Sequence, residues 1–256
     1  MSSSSQPASA SDANQPRRRK PLTLLVINPN STVAITDGLR TSLQPLCPPD
    51  CTLEFITGPP DAPKGISNRT EGVESALKTW EVIKRDGWLE KADGFLVCCF
   101  SDHPLAHIIS EHTPKPSMHI LTSSIIHALL TSTRFSIITT GPLSTPQPHI
   151  DAAVHSVLGS TSSSRFASLR TVGLRVVDLK DESFDRALVR ERMEDAARKV
   201  VEDGSDAIVL GCAGMAGMEG WVVEGARKAG LEGVKVVDGA KAGVVLLEAA
   251  VRLNGV

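Results

Sequence analysis

The 256-residue chain has no tyrosine, three tryptophans and six phenylalanines. So few aromatics offer no stacking platform for bases or sugars. Charge of one sign is lacking too: 27 Lys and Arg stand against 29 Asp and Glu, a formal net charge of −2. That balance provides no general attraction to nucleic acid or to a membrane surface, and neither is expected as a partner. No secretory signal or long apolar span is visible. The five cysteines are an odd number, and Cys98 and Cys99 are adjacent. A disulfide framework is therefore not expected, and a reducing, cytoplasmic setting is. Metal-ligand spacing is also missing. Cys47 and Cys51 flank Pro48-Pro49 without a second pair. His103 and His107 lack the intervening Glu of a metalloprotease helix, so no metal is expected. Gly211, Gly214 and Gly217 are wrongly spaced for a dinucleotide loop, and no cofactor is expected.

What is present is an ordinary globular composition, 41% apolar and 22% charged, long enough for one large or two small domains. Residues 1–20, rich in Ser and Pro and ending Arg17-Arg18-Arg19-Lys20, read as a disordered tail. Beyond them short apolar runs alternate with helical patterns. The pattern predicts strands at 22–27, 52–57, 94–99 and 117–121, then at 135–139, 171–177, 207–210 and 234–237. The expected fold is α/β, with two pseudo-symmetric lobes, each a parallel sheet flanked by helices, and the active site in the cleft between them. The first lobe is expected over 21–120 and the second over 121–237. The closing helix, 238–256, is expected to pack back onto the first.

Two runs repeat one design. Asp93-Gly94-Phe95-Leu96-Val97-Cys98-Cys99-Phe100-Ser101-Asp102-His103-Pro104 and Ser205-Asp206-Ala207-Ile208-Val209-Leu210-Gly211-Cys212-Ala213-Gly214-Met215 each bring a thiol to a strand-to-helix turn. Such turns lie at the carboxyl ends of parallel strands, where open α/β folds bind ligands. Two thiols facing one cleft suit acid and base work on the two faces of one carbon. Each precedes an expected helix start, whose dipole and free N–H groups favour a thiolate. Strand alternation turns Cys98 away from Cys99 and into the core. Asp102 is expected to cap the helix that follows it.

Asn28-Pro29-Asn30-Ser31-Thr32, Cys99-Phe100-Ser101-Asp102-His103-Pro104-Leu105, Ile138-Thr139-Thr140, Leu210-Gly211-Cys212-Ala213-Gly214-Met215 and Val237-Asp238-Gly239 form an ordered set. Together they resemble the hydantoin/allantoin racemase family of the aspartate/glutamate racemase superfamily, its fungal branch in particular. The resemblance spans about residues 21–253. It implies cofactor-independent racemisation of allantoin or a 5-substituted hydantoin, with Cys99 and Cys212 as the opposed acid/base pair. It also implies a small-molecule partner and symmetric homo-oligomers. The match departs from the family at Cys98, where a small residue is usual. It departs again at Leu121-Thr122-Ser123-Ser124, where Glu or Asp often stands at the position of Thr122.

The backbone N–H groups of Ser101, Ala213 and Gly214 are candidates to hold a developing enolate oxygen. Asn28, Ser124, Thr139 and Thr140 are candidate substrate anchors, and Asp102 and His103 candidate supports beside Cys99. Other readings are a decarboxylase or cis-trans isomerase of a small dicarboxylate, a thiol hydrolase, and a ligand-binding relative without catalysis. The hydrolase lacks a His after Cys212.

Overall fold

A computed structural model describes residues 20–181 and 183–254. The expected tail therefore lies outside the described residues, Lys20 excepted. Among the described residues eight strands form two four-stranded sheets, and every strand pair is parallel. The first holds β1 (Leu22–Asn28), β2 (Cys51–Thr57), β3 (Gly94–Val97) and β4 (Ser117–His119) in the order β2-β1-β3-β4. The second holds β5 (Phe135–Thr139), β6 (Phe166–Thr171), β7 (Ala207–Gly211) and β8 (Lys235–Asp238) in the order β6-β5-β7-β8. Each sheet's order maps onto the other's when four is added to every strand number, so the two lobes share one topology.

Continuous apolar strands of this kind are buried on both faces. In β1, Leu24 and Val26 join one core cluster while Leu25 and Ile27 join another. In β7, Ala207 and Val209 face the first of these clusters, and Ile208 and Leu210 face a third. One core therefore runs between the sheets, and each sheet has a separate core on its outer face. Each fully buried Leu or Ile contributes about 1.5–3 kcal/mol.

Helices α2 (Arg69–Arg85) and α4 (Pro104–His112) cover the outer face of the first sheet, through Ala76, Trp80, Leu105 and Ile109. Helices α7 (Arg186–Glu202) and α8 (Glu219–Lys228) cover that of the second. Between the sheets lie α1 (Val33–Leu43), α5 (Ile120–Thr131), α6 (Pro148–Leu158) and α9 (Gly239–Leu253). The short α3 (Trp88–Lys91) precedes β3. Helix α9 lies against the first sheet: a Cβ added at Gly94 would strike Val251 and Leu247.

The chain departs furthest from its expected pattern in one strand; β4 also ends at His119, two residues before the expected 121, because α5 begins at Ile120. The run 171–177 was expected to be extended, but β6 is Phe166–Thr171. Gly173, at φ +75°, turns the backbone into the left-handed region and ends the strand early. Its neighbours Val172 and Leu174 still reach the outer core as loop residues. The true strand is a half-buried edge, so polar Ser168 and Arg170 obscured it. Strand β3 likewise stops at Val97, two residues short, which releases Cys99 from the sheet.

Candidate active site

In an open parallel sheet the crevice forms where strand order reverses, outside the carboxyl ends of the two central strands. That point lies between β1 and β3 in the first lobe and between β5 and β7 in the second. The chain leaves these strands as Pro29-Asn30, Cys98-Cys99, Thr140-Gly141 and Cys212-Ala213. All four segments line one cavity of about 460 Å³ between the lobes. Cys99 and Cys212 thus reach the same space from equivalent places in the two halves.

Their surroundings differ. Burial pushes the Cys99 thiol up to about 12, and charge on Cys212 pushes in the same direction. One group opposes this: Ser101 Oγ, 3.2 Å from the Cys99 sulfur. Helix α4 begins at Pro104, as expected, but that is five residues past Cys99, and no backbone N–H of its first turn acts on the Cys99 sulfur. Burial also raises Cys212, but four groups oppose it: the Gly214 N–H and the Thr140 hydroxyl as donors, the Lys180 ammonium through its charge, and the Met215 N–H as a third donor. Cys212 opens a single 3-10 turn, Ala213–Met215, and two of those groups are backbone N–H donors of that turn, although the Met215 N–H also closes it on the Cys212 carbonyl at 3.0 Å. The pair is therefore graded: more groups favour the thiolate at Cys212, and Cys99 is the thiol that holds its proton.

Of the expected site residues, Ser101, Asp102, Thr139 and Thr140 border the cavity with the two thiols, as do Ala213 and Gly214. Cys98 also reaches the lining, although it is only 2% exposed and belongs to the central core. Three expectations need correction. Asn28 is wholly buried and does not line the cavity. Its amide donates to Thr32 O and Thr36 Oγ1, both at 3.1 Å, and its Oδ1 accepts from Asn30 N–H at 3.3 Å. It braces the turn that presents Asn30, and Asn30 lines the cavity instead.

Ser124 is buried under α9 and donates to Ile120 O at 2.6 Å, so it is no substrate anchor. His103 is buried outside the cavity lining, and it, not Asp102, caps α4. Its Nδ1 accepts from the Leu105 N–H at 3.3 Å, which leaves Nε2–H to donate to Ser75 Oγ at 2.9 Å. Thr139 borders the cavity, but its hydroxyl is engaged with Gly211 O at 2.6 Å and ties β5 to β7.

Other lining residues carried no local signal: Arg69 at the start of α2, and Gln147, His149 and Arg175 from the second lobe. Lys180, remote in sequence, donates to the Ala216 carbonyl that closes the Cys212 turn, at 2.9 Å. Apolar side chains complete the wall, among them Ile35, Ile66, Val73, Ile150 and Val176. Among the described residues no helix is long and apolar enough to cross a membrane.

Two α/β lobes of one topology, with a thiol from each on a shared cavity, define a class of two-lobed proteins whose ligand site is the cleft. The chain belongs to the Asp/Glu/Hydantoin racemase family, whose profile matches residues 24–247. It is 32% identical over 231 residues to a hydantoin racemase of Pseudomonas sp. (strain NS671), covering 90% of this chain and 86% of that one. It is 38% identical over 232 residues to an uncharacterized protein of Schizosaccharomyces pombe, covering 90% and 92%. Among solved structures, the allantoin racemase from Klebsiella pneumoniae superimposes with a TM-score of 0.76 at 29% identity, covering 91% of this chain and 89% of that one. These relatives support a racemase-type isomerase acting on a small molecule.

Proposed function

We propose that the protein racemises a 5-substituted hydantoin, allantoin included, by two-thiol proton transfer without a cofactor. The observation that carries this reading is the convergence of Cys99 and Cys212 on one cavity from the equivalent strand ends of two lobes. The C5 proton is acidic because the neighbouring C4 carbonyl accepts the charge as an enolate. The Cys212 thiolate takes that proton from one face, and the electron pair moves onto the C4 oxygen. The Cys99 thiol then returns a proton to the other face, ending as thiolate while Cys212 ends as thiol. The opposite enantiomer runs the same steps in reverse. The donors around the Cys212 sulfur support its role as the base in the resting enzyme. The Ile66, Val73 and Ile150 side of the wall supports an apolar C5 substituent.

The test is loss of optical rotation together with deuterium uptake at C5, for single enantiomers of allantoin and several 5-alkyl hydantoins in D₂O. Cys99→Ser and Cys212→Ser proteins serve as blanks, because allantoin racemises slowly unaided. Racemisation with exchange by the wild type, and loss of racemisation in both variants, is the expected result. Racemisation surviving in either variant would sink the two-thiol mechanism, and no exchange with any hydantoin by the wild type would sink the substrate class.

A further inference from the structure

We propose that Asp102, His107 and His119 form a binding site for a divalent ion of the zinc class at the rim of the cavity that holds Cys99. This inference stands apart from the racemase reading and does not depend on it. The three residues come from separate segments: the loop after β3, the first turn of α4 and the end of β4. One oxygen, Asp102 Oδ1, lies 2.7 Å from His107 Nε2 and 3.4 Å from His119 Nε2. The three donor atoms all lie within 4.8 Å of one another. A tetrahedral zinc ion, with bonds of about 2.0–2.2 Å, holds its ligand atoms about 3.3–3.5 Å apart. Only small side-chain shifts separate this trio from that geometry.

The second layer of contacts suits a ligand imidazole. His119 is buried, and its Nδ1 lies 3.2 Å from Thr122 Oγ1 and 3.3 Å from Thr122 N. That contact fixes the ring with Nε2 turned toward Asp102. A metal-ligating imidazole of this kind directs its other nitrogen to a partner that sets the tautomer. When Nε2 gives its lone pair to an ion, the proton moves to Nδ1 and the Thr122 hydroxyl accepts it. The Thr122 N–H bond to Nδ1 is then lost, which makes the site weaker and more exchangeable than a closed structural zinc site. Two imidazoles and one carboxylate favour Zn²⁺ or Co²⁺ over Mg²⁺ or Ca²⁺. They leave a fourth position for water or a cavity ligand. Asp102 itself lines the cavity.

The sequence could not show this site. It paired His103 with His107 by spacing, but His103 turns inward to Ser75 while His119 arrives through the β3–β4 register.

The experiment uses Co²⁺ as a spectroscopic probe and Zn²⁺ in calorimetry, on the full chain. The cleft thiols are the competing ligands, so the Cys99→Ser/Cys212→Ser double variant is measured in parallel. His107 and Asp102 are exposed, so His107→Ala and Asp102→Asn test the site without opening the core. The expected result is one ion per chain with nitrogen/oxygen-type Co²⁺ bands. Binding should persist in the double thiol variant and weaken at least about tenfold in His107→Ala and in Asp102→Asn. Wild-type affinity retained in those two variants, loss of binding with the thiols, or no uptake at millimolar Co²⁺ would each overturn the proposal.

Discussion

The Lys180 ammonium donates to the Ala216 carbonyl at 2.9 Å, closing the turn that begins at Cys212. Burial holds its pKa below that of an ordinary lysine, and Arg186 adds to the effect, while Cys212, Glu219 and Asp238 pull it back up. Replacing Lys180 with Met should remove a charge that favours the Cys212 thiolate. We expect the pH midpoint of Cys212 alkylation, followed by peptide mass spectrometry, to rise by about one unit, a tenfold slower reaction at fixed pH. Lys180→Arg should restore part of the loss. An unchanged midpoint in Lys180→Met would show that the ammonium only fastens the turn.

Burial raises both thiols above their ordinary range. The thiolate form therefore grows with pH throughout the neutral range. The kcat/KM for a hydantoin should climb from pH 6.5 toward 9, approaching a tenfold gain per unit. Corrected for the uncatalysed rate, a profile flat above pH 7 would mean that the free enzyme already holds its thiolate.

His103 is buried neutral, with burial pulling it down to about 3, and charge on His119 acts in the same direction. In the unfolded chain an ordinary imidazole titrates near ~6.5. The stability that rests on neutral His103 is fully present above that value and is lost as pH falls through the window toward 3. Between pH 7.5 and pH 5 this one group should cost about 2 kcal/mol, read as a lower urea midpoint. His103→Asn, which can still cap α4, should show a shallower pH dependence. Parallel curves for the two proteins would assign the acid loss to other groups.

Helices α7 and α8 cross at Gly225, where an added Cβ would press on the backbone carbonyl of Glu194. Backbone cannot yield as a side chain does, so Gly225→Ala should lower stability by about 2–4 kcal/mol. Gly220 lies in the same helix with nothing within 4 Å of its Cβ position. Gly220→Ala should be neutral or stabilising by up to ~1 kcal/mol. Thermal melts of the two variants make the comparison. Equal melting temperatures would mean that the α7–α8 crossing tolerates a shift.

The alternation of strand and helix was legible because buried parallel strands are written as short apolar runs, as β1 and β7 are. Both thiol turns were legible for the same reason: each apolar run stops where a Cys begins a polar or glycine-rich turn. Strand β6 was not, because an edge strand needs little apolar content and Gly173 broke the more apolar run beside it. Asn28 and Asn30 show the limit within one motif. They lie two apart in a turn, and only the fold reveals that one braces while the other faces the cavity.

By itself, then, the sequence determined the two-lobed α/β class, the family, and the delivery of Cys99 and Cys212 to strand ends. These are local matters: which side chains are apolar, where the run stops, and which small residues follow. Only the tertiary structure decided which side chains meet. It brought Lys180 to the Cys212 turn, turned His103 to Ser75, placed His119 beside Asp102, and buried Ser124 beneath α9. Such pairings depend on strand register and helix packing between distant segments, which no local pattern specifies.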